Sequence, residues 1–209
     1  MQGYLTIESA CQGEYEEKRS KFIANIIPIA TEEEALLFVK EMKTKYWDAK
    51  HNVFAYILKT GTARFSDDGE PHSTAGKPVL DIITKNDLTN ICVVVTRYFG
   101  GILLGTGGLV RAYSEATKNA LNNADIIEMG LITKLATCCD YQQYNRIVPF
   151  IENNNAIVVN TVFEENVLIE FTIEDSKKEK FETAFTDAFF GKLVLEEKGK
   201  IFSKVKNIK

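Results

Sequence analysis

The sequence predicts an α+β protein of two domains, an N-terminal α/β sandwich over residues 1–130 and a C-terminal ferredoxin-like βαββαβ sandwich over 131–209. Three observations lead there. The chain has 209 residues, more than one ordinary domain of about 100–200. An apolar run, Ile91 to Thr96, leads into a glycine-rich loop and then into helix-forming composition, which reads as strand, loop, helix. After Gly130 the patterning gives strand, helix, strand, strand, helix, strand, the order of a ferredoxin-like unit with two helices on one face of an antiparallel sheet.

Lys21 to Ile29 reads as a strand. Thr31 followed by Glu34 forms a capping box that opens a helix to Tyr46, with Ala35, Phe38, Val39 and Met42 at helical spacing. His51 to Leu58 alternates and is rich in strand formers, and a turn follows at Thr60-Gly61-Thr62. The polar run from Ser66 to Pro71 is a loop. A helix is expected over Ala75 to Lys85, with Pro78 in its first turn, where a missing N–H costs little. Ile91 to Thr96 is almost wholly apolar, so both of its faces should be buried. Five glycines lie between Phe99 and Gly108, and a helix is expected from Leu109 to Asn122. The second unit reads as strand Leu131 to Cys139, helix Tyr141 to Glu152 and strands Ile157 to Phe163 and Val167 to Ile173. A helix opened by a capping box of Ser176 and Glu179 and a strand Lys192 to Glu196 complete it. Pro149 should kink the Tyr141 helix or end it early.

Composition narrows the classes of function. The chain is 45% hydrophobic with a net charge of -4, so it can build a core but cannot coat nucleic acid or anionic membrane by bulk charge. Neither unit is a basic domain, and binding to nucleic acid has to use a local patch. No apolar run approaches the roughly 18 residues of a spanning helix, and the N-terminus lacks a charged-then-apolar leader. A cytoplasmic protein with no membrane contact is expected. Cys11, Cys92, Cys138 and Cys139 show no zinc spacing and read as reduced, mostly buried thiols, with the adjacent pair on opposite faces of a strand.

The run from Arg97 to Arg111 is the most informative stretch. Glycines expose backbone N–H groups, and a helix start adds partial positive charge, a combination suited to phosphate or carboxylate. It lacks the phosphate-loop pattern, and Gly105-x-Gly107-x-x-Val110 lacks the third small residue of a dinucleotide fingerprint. No nucleotide cofactor, and no cofactor of any kind, is therefore expected. Arg111 is expected in the first helical turn, where a cation opposes the macrodipole unless an anion is near. The other reading is that the glycines only allow tight packing while the arginines pair with Asp67, Asp68 and Glu70. Those carboxylates lack the ligand spacing of a calcium loop, and no metal site is expected. His51 is a candidate general base beside them.

The stretches HNVFAY, SDDGEP, TAGKPVL and VVVTRYFGGILLGTGGLVRAYSEA resemble the signature of the IMPACT family in its bacterial, YigZ-type form. The resemblance is strongest over residues 18 to 122, and the C-terminal unit is similar to the small domain that follows in bacterial members. It implies an N-terminal domain similar to domain 2 of ribosomal protein S5, with helices on one face of a sheet. It also implies a C-terminal domain similar to the last domain of elongation factor G. The motif residues it carries over are His51, Asp67, Asp68, Gly69, Glu70, Pro71, Arg97, Tyr98, Phe99, Gly100, Gly101, Gly105, Gly107, Gly108 and Arg111. Where members commonly have a glycine before the TAG triplet this chain has Ser73, which adopts a positive φ less readily. Eukaryotic members carry a further N-terminal interaction domain for which this chain has no room, so control of a kinase is not expected to transfer.

Both fold relatives handle RNA or the ribosome, so the resemblance implies a cytoplasmic binding protein that engages RNA or ribosome-associated factors and regulates translation. Arg97, Arg111 and the amides of Gly100, Gly101, Gly105, Gly107 and Gly108 would meet phosphates, with Tyr98 or Phe99 stacking on a base. The alternative is a hydrolase acting on a phosphorylated or peptide substrate, with His51, Asp67, Asp68 and Glu70 around an Arg97 anion site. Convergence of His51, Asp68, Glu70 and Arg97 in one pocket favours an enzyme or a small-anion site. Arginines on an open convex face favour nucleic acid.

Overall fold

A computed structural model describes residues 3–209; Met1 and Gln2, at the head of the first expected domain, lie outside the described residues. The chain divides into two compact units, one of Tyr4–Glu128 with Asn207–Lys209 and one built mainly of Met129–Lys206.

The first unit is built on a five-stranded sheet in the order β2-β3-β6-β4-β5. Its strands are β2 (Cys11–Glu17), β3 (Ser20–Pro28), β4 (His51–Ile57), β5 (Ala63–Ser66) and β6 (Ile91–Tyr98). Every neighbouring pair is antiparallel. A four-residue strand, β1 (Tyr4–Ile7), precedes them, and the Leu5 carbonyl accepts the N–H of Thr89. The helices are α1 (Glu32–Lys45), α2 (Gly76–Lys85) and α3 (Gly105–Asn122). β6 lies at the centre and all but its last residue is buried, as its unbroken apolar run requires. Alternation sends Cys92 and Val94 to one face, where Phe38, Val39 and Met42 of α1 cover them. It sends Ile91, Val93 and Val95 to the other face, against Val79 and Ile83 of α2 and Leu109, Ala112 and Ala116 of α3. Helices therefore cover both faces, a correction to the one-sided layer implied by family likeness. A central strand apolar on both faces can be satisfied only by two layers of cover.

α1 has the predicted Thr31 cap, but the return bond of the expected capping box goes to Ala30, one residue before the cap. Thr31 Oγ1 accepts the N–H of Glu34, and the Glu34 carboxylate reaches back to the N–H of Ala30. α3 starts at Gly105, four residues before the expected Leu109. Three glycines at about 1 kcal/mol each relative to alanine argue against that start, but burial of Leu109 and the partly buried Leu104 holds the added turn to the sheet.

The second unit is the predicted ferredoxin-like sandwich. β7 (Ile126–Cys139) pairs with β9 (Val167–Glu174) and β10 (Glu196–Asn207), and β9 pairs with β8 (Ile157–Phe163). Ile169, Phe171 and Ile173 of β9 form a core with Ile147 and Ile151 of α4 (Tyr141–Asn153) and Phe181 and Phe185 of α5 (Lys178–Ala188). Three expectations are corrected. α4 runs four residues past Pro149, because Ile151 in its last turn is fully buried and holds that turn in place. Ser176 does not cap α5: it sits in a 3-10 turn at Asp175–Lys177, and α5 has no side-chain cap. The last strand begins at Glu196, where the expected one ended, while Leu193 and Leu195 pack against the core from a loop.

Candidate functional site

The site is assembled by strand register. On the face covered by α2 and α3, Arg97 of β6 lies between Phe22 of β3 and His51 of β4, its direct partners in the ladder. The loop between β5 and α2 then brings Glu70 over this row. Arg97 Nη1 donates to Glu70 Oε1 at 2.6 Å, and the hydroxyl of Tyr113 from α3 donates to the same oxygen at 2.7 Å. Arg97 is only 6% exposed and Glu70 is also buried. The guanidinium lies 5.5 Å from the ring centre of Phe22 and 5.6 Å from that of Phe99, so its plane is held from two sides. Burial and the Glu70 carboxylate push the Tyr113 hydroxyl far above its ordinary pKa, and it stays a donor. Arg97 Nε is buried without a hydrogen-bond partner.

His51 completes the polar floor. Its Nδ1 lies 2.8 Å from the Asp68 carbonyl, which can only accept, so Nδ1 carries the proton in the neutral ring. Nε2 then presents a lone pair, 4.0 Å from Glu70 Oε1. These groups open into a cavity of about 450 Å³ lined by Lys50, His51, Glu70 and Arg97, by Pro71, Phe99, Leu103 and Leu104, and by Gly105 and Thr106 at the start of α3. Leu104 at the N-cap provides no side-chain hydrogen bond, so the first amides of α3 have no side-chain cap. Phe99 is 46% and Leu103 82% exposed, which gives the mouth an apolar rim.

The structure separates residues that the sequence grouped. Asp67 is a structural cap: it accepts the N–H groups of Ser73, Ala75 and Gly76 at 2.8, 3.1 and 2.8 Å and so fixes the start of α2. Asp68 turns the other way, to Lys43 Nζ at 2.6 Å and the N–H of Asn52 at 2.7 Å. Of the three loop carboxylates only Glu70 meets an arginine in an ion pair, and among the described residues no group of three ligating side chains is arranged for a metal. Arg111 is exposed in the second turn of α3, because the helix starts early; it does not line the cavity, and the charge–dipole argument for it lapses. The Tyr98 hydroxyl donates to Asp48 at 2.8 Å, which pushes its pKa up to about 12, and only Phe99 of the two aromatics faces the cavity.

Gly100 serves packing: a Cβ there would lie 2.1 Å from the backbone of Arg19. Gly105 has φ +71 with open space around it, and Gly101 also has a positive φ. Gly107 and Gly108 lie in the first turn of α3 without lining the cavity. Sequence reading missed Lys50, Tyr113 and Leu103; exposed apolar residues in a glycine-rich loop were the available signal for Leu103. The expectation of mostly buried thiols fails at Cys138, which is exposed while its neighbour Cys139 is buried, on opposite faces as a strand demands.

Comparison with known proteins follows the same division. The Impact N-terminal domain matches residues 18–121, and a domain of unknown function (DUF1949) matches residues 138–192. The chain is 34% identical to the IMPACT family member YvyE of Bacillus subtilis, over 94% of this chain and 92% of that protein. It is 33% identical to the IMPACT family member YigZ of Escherichia coli, over 85% and 89%. A crystal structure of an hypothetical protein is similar with a TM-score of 0.62 at 31% identity, covering 93% of this chain and 97% of that one.

Proposed function

This chain belongs to the IMPACT family, and from that premise we propose that it is a binding protein that engages RNA of the translation machinery and regulates translation by drawing a phosphate-bearing group into the Arg97 cavity. One observation carries the reading. Arg97, Lys50 and the uncapped amides at the start of α3 converge on one cavity with an aromatic ring, Phe99, at its wall. A cation, a positive helix end and an exposed ring are the parts that hold one phosphate and stack one base. Arg97 lies in a pocket with His51 and Glu70, not on an open face with Arg111, which favours a small-anion site. The RNA is therefore taken to contribute a single phosphate, a local mode that the net charge of -4 also supports over contact along a long backbone. Titration of a fluorescent single-stranded RNA in about 50 mM salt, followed by anisotropy, tests it. Saturable binding weakened by Lys50→Ala is expected, and no binding at that salt overturns the reading.

A second reading, hydrolysis of a phosphorylated or peptide substrate, has one specific support. The proton on His51 Nδ1 leaves the Nε2 lone pair inside the cavity, as a general base requires. Asp67 and Asp68 drop out of that mechanism because both are engaged elsewhere. Turnover of phosphomonoester or peptide substrates that His51→Asn abolishes would favour hydrolysis over binding alone.

A further inference from the structure

We infer that Trp47 is a stacking platform for a base of the RNA strand, a contact outside the Arg97 cavity. The inference rests on the RNA reading above and adds a base-binding residue to it.

Trp47 is the one tryptophan of the chain, and it is 82% exposed. Two aromatic residues follow α1 in succession and the fold treats them differently. Tyr46 packs against the core that α1 covers, whereas Trp47 stands in solvent. A ring left in water contributes little to folding, because the hydrophobic gain follows the area removed from water. The backbone on either side of it is nevertheless fixed. The N–H of Tyr46 donates to the Met42 carbonyl, and the N–H of Ala49 donates to the Tyr46 carbonyl at 3.0 Å. The Asp48 carboxylate accepts the Tyr98 hydroxyl at 2.8 Å. A large ring on a held turn is preorganised for a flat ligand, with little backbone freedom left to lose.

Its place joins it to the cavity. His51 pairs with Arg97 in the ladder, so the connection from α1 into β4 and the connection from β6 into α3 meet at one end of the sheet. Lys50, three residues on and no more than about 11 Å away between Cα atoms, lines the cavity. Tyr98, which holds Asp48, is followed directly by Phe99 at the cavity wall. Phe99 and Trp47 are thus two exposed rings at one end of the sheet, the arrangement on which successive bases stack. The surroundings favour a base over an apolar protein segment. Trp47 stands among Lys45, Asp48 and Lys50, and the exposed apolar residues of α1, Leu36 and Leu37, lie about 15 Å or more back along the helix. A protein hot spot sits inside a wider packed patch, whereas a ring beside cations suits a base.

The full chain is titrated with a short single-stranded RNA in about 50 mM salt, read by the anisotropy of a labelled strand and, with an unlabelled strand, by tryptophan emission. That emission reports Trp47 alone. It should be quenched saturably, with the same midpoint as the anisotropy. Trp47→Ala should weaken the strand about tenfold, and Trp47→Phe should restore most of the loss. The ring is uncharged, so Trp47→Ala should leave the slope of log affinity against log salt unchanged, and its urea midpoint should match that of the parent chain. Saturable anisotropy with unchanged emission, or with Trp47→Ala binding as tightly as the parent, overturns the stacking role. Either result leaves the RNA reading standing and Trp47 free for a protein partner. A urea midpoint that falls with the affinity also overturns the role, since the ring then serves the fold. A strand that does not bind at all overturns the RNA reading itself.

Discussion

Asp67 and Glu70 stand three residues apart in one loop and do opposite work. Asp67 takes up three backbone N–H groups that α2 and its approach would otherwise leave open. Asp67→Ala should therefore cost about 2 kcal/mol, at the upper end for a helix cap, read from the urea midpoint. Glu70 accepts from Arg97 and Tyr113 in a buried setting. Glu70→Ala leaves a buried guanidinium without its counter-charge and should cost about 3–5 kcal/mol, whereas Glu70→Gln keeps an acceptor and should cost less. Ser73 sits at φ +59, the left-handed region that a glycine occupies without strain. The N–H of Ser73 bound to Asp67 holds it there. Ser73→Gly should stabilise the protein by up to about 1 kcal/mol, since relief of strain outweighs the added freedom of the unfolded chain; a lower urea midpoint would contradict this.

At the scale of elements, periodicity made most of the fold legible, and register made the site illegible. α1, β4, β6 and β9 follow from apolar spacing because each buries at least one regular face. β2 is a charged, half-exposed strand and β5 is four residues long and mostly exposed, so neither leaves a period to read. The pairing of His51 with Arg97, and the reach of Tyr113 to Glu70, join positions 46 and 43 residues apart, information that local pattern does not hold. The glycine-rich run was visible as a special stretch, but its sequence did not separate Gly100, needed for close approach, from Gly107, which has open space around it. Gly107→Ala should accordingly stabilise α3 by up to about 1 kcal/mol, the propensity difference, with thermal melting as the check. β8 pairs only with β9 in the sheet order and carries Ile157, Val159 and Phe163 exposed, without a charged residue. Such an edge invites association, and Val159→Lys should lower concentration-dependent turbidity on mild heating without lowering the melting temperature.

For the molecule as a whole, the three buried cores and the near-balanced charge set the conditions under which it works. Cys92 is buried in the first unit, and burial pushes its thiol from 9.0 up to about 12, while Cys11 rises to about 11. Both pKa values are raised, so their contribution to stability is complete below about pH 9 and declines as pH rises from there towards the folded values, by about 1.4 kcal/mol per pH unit for the buried Cys92 and by less for the partly exposed Cys11, where solvent screens the charge. The urea midpoint should fall above pH 9, and Cys92→Ala should make that fall shallower. Among the described residues no helix is long and apolar enough to cross a membrane. The near balance of 25 basic and 29 acidic residues leaves the Arg97 cavity as a local exception rather than part of a basic face. The central claim is therefore that RNA is held by one phosphate-sized site. Its most direct test is the slope of log affinity against log salt for a single-stranded RNA. One or two phosphates give a slope of about -0.7 to -1.4, and that shallow dependence, reduced further by Lys50→Ala, is the result expected here. A slope of about -4 or steeper, unchanged by Lys50→Ala, would mean that an extended surface binds the backbone, and would contradict the claim.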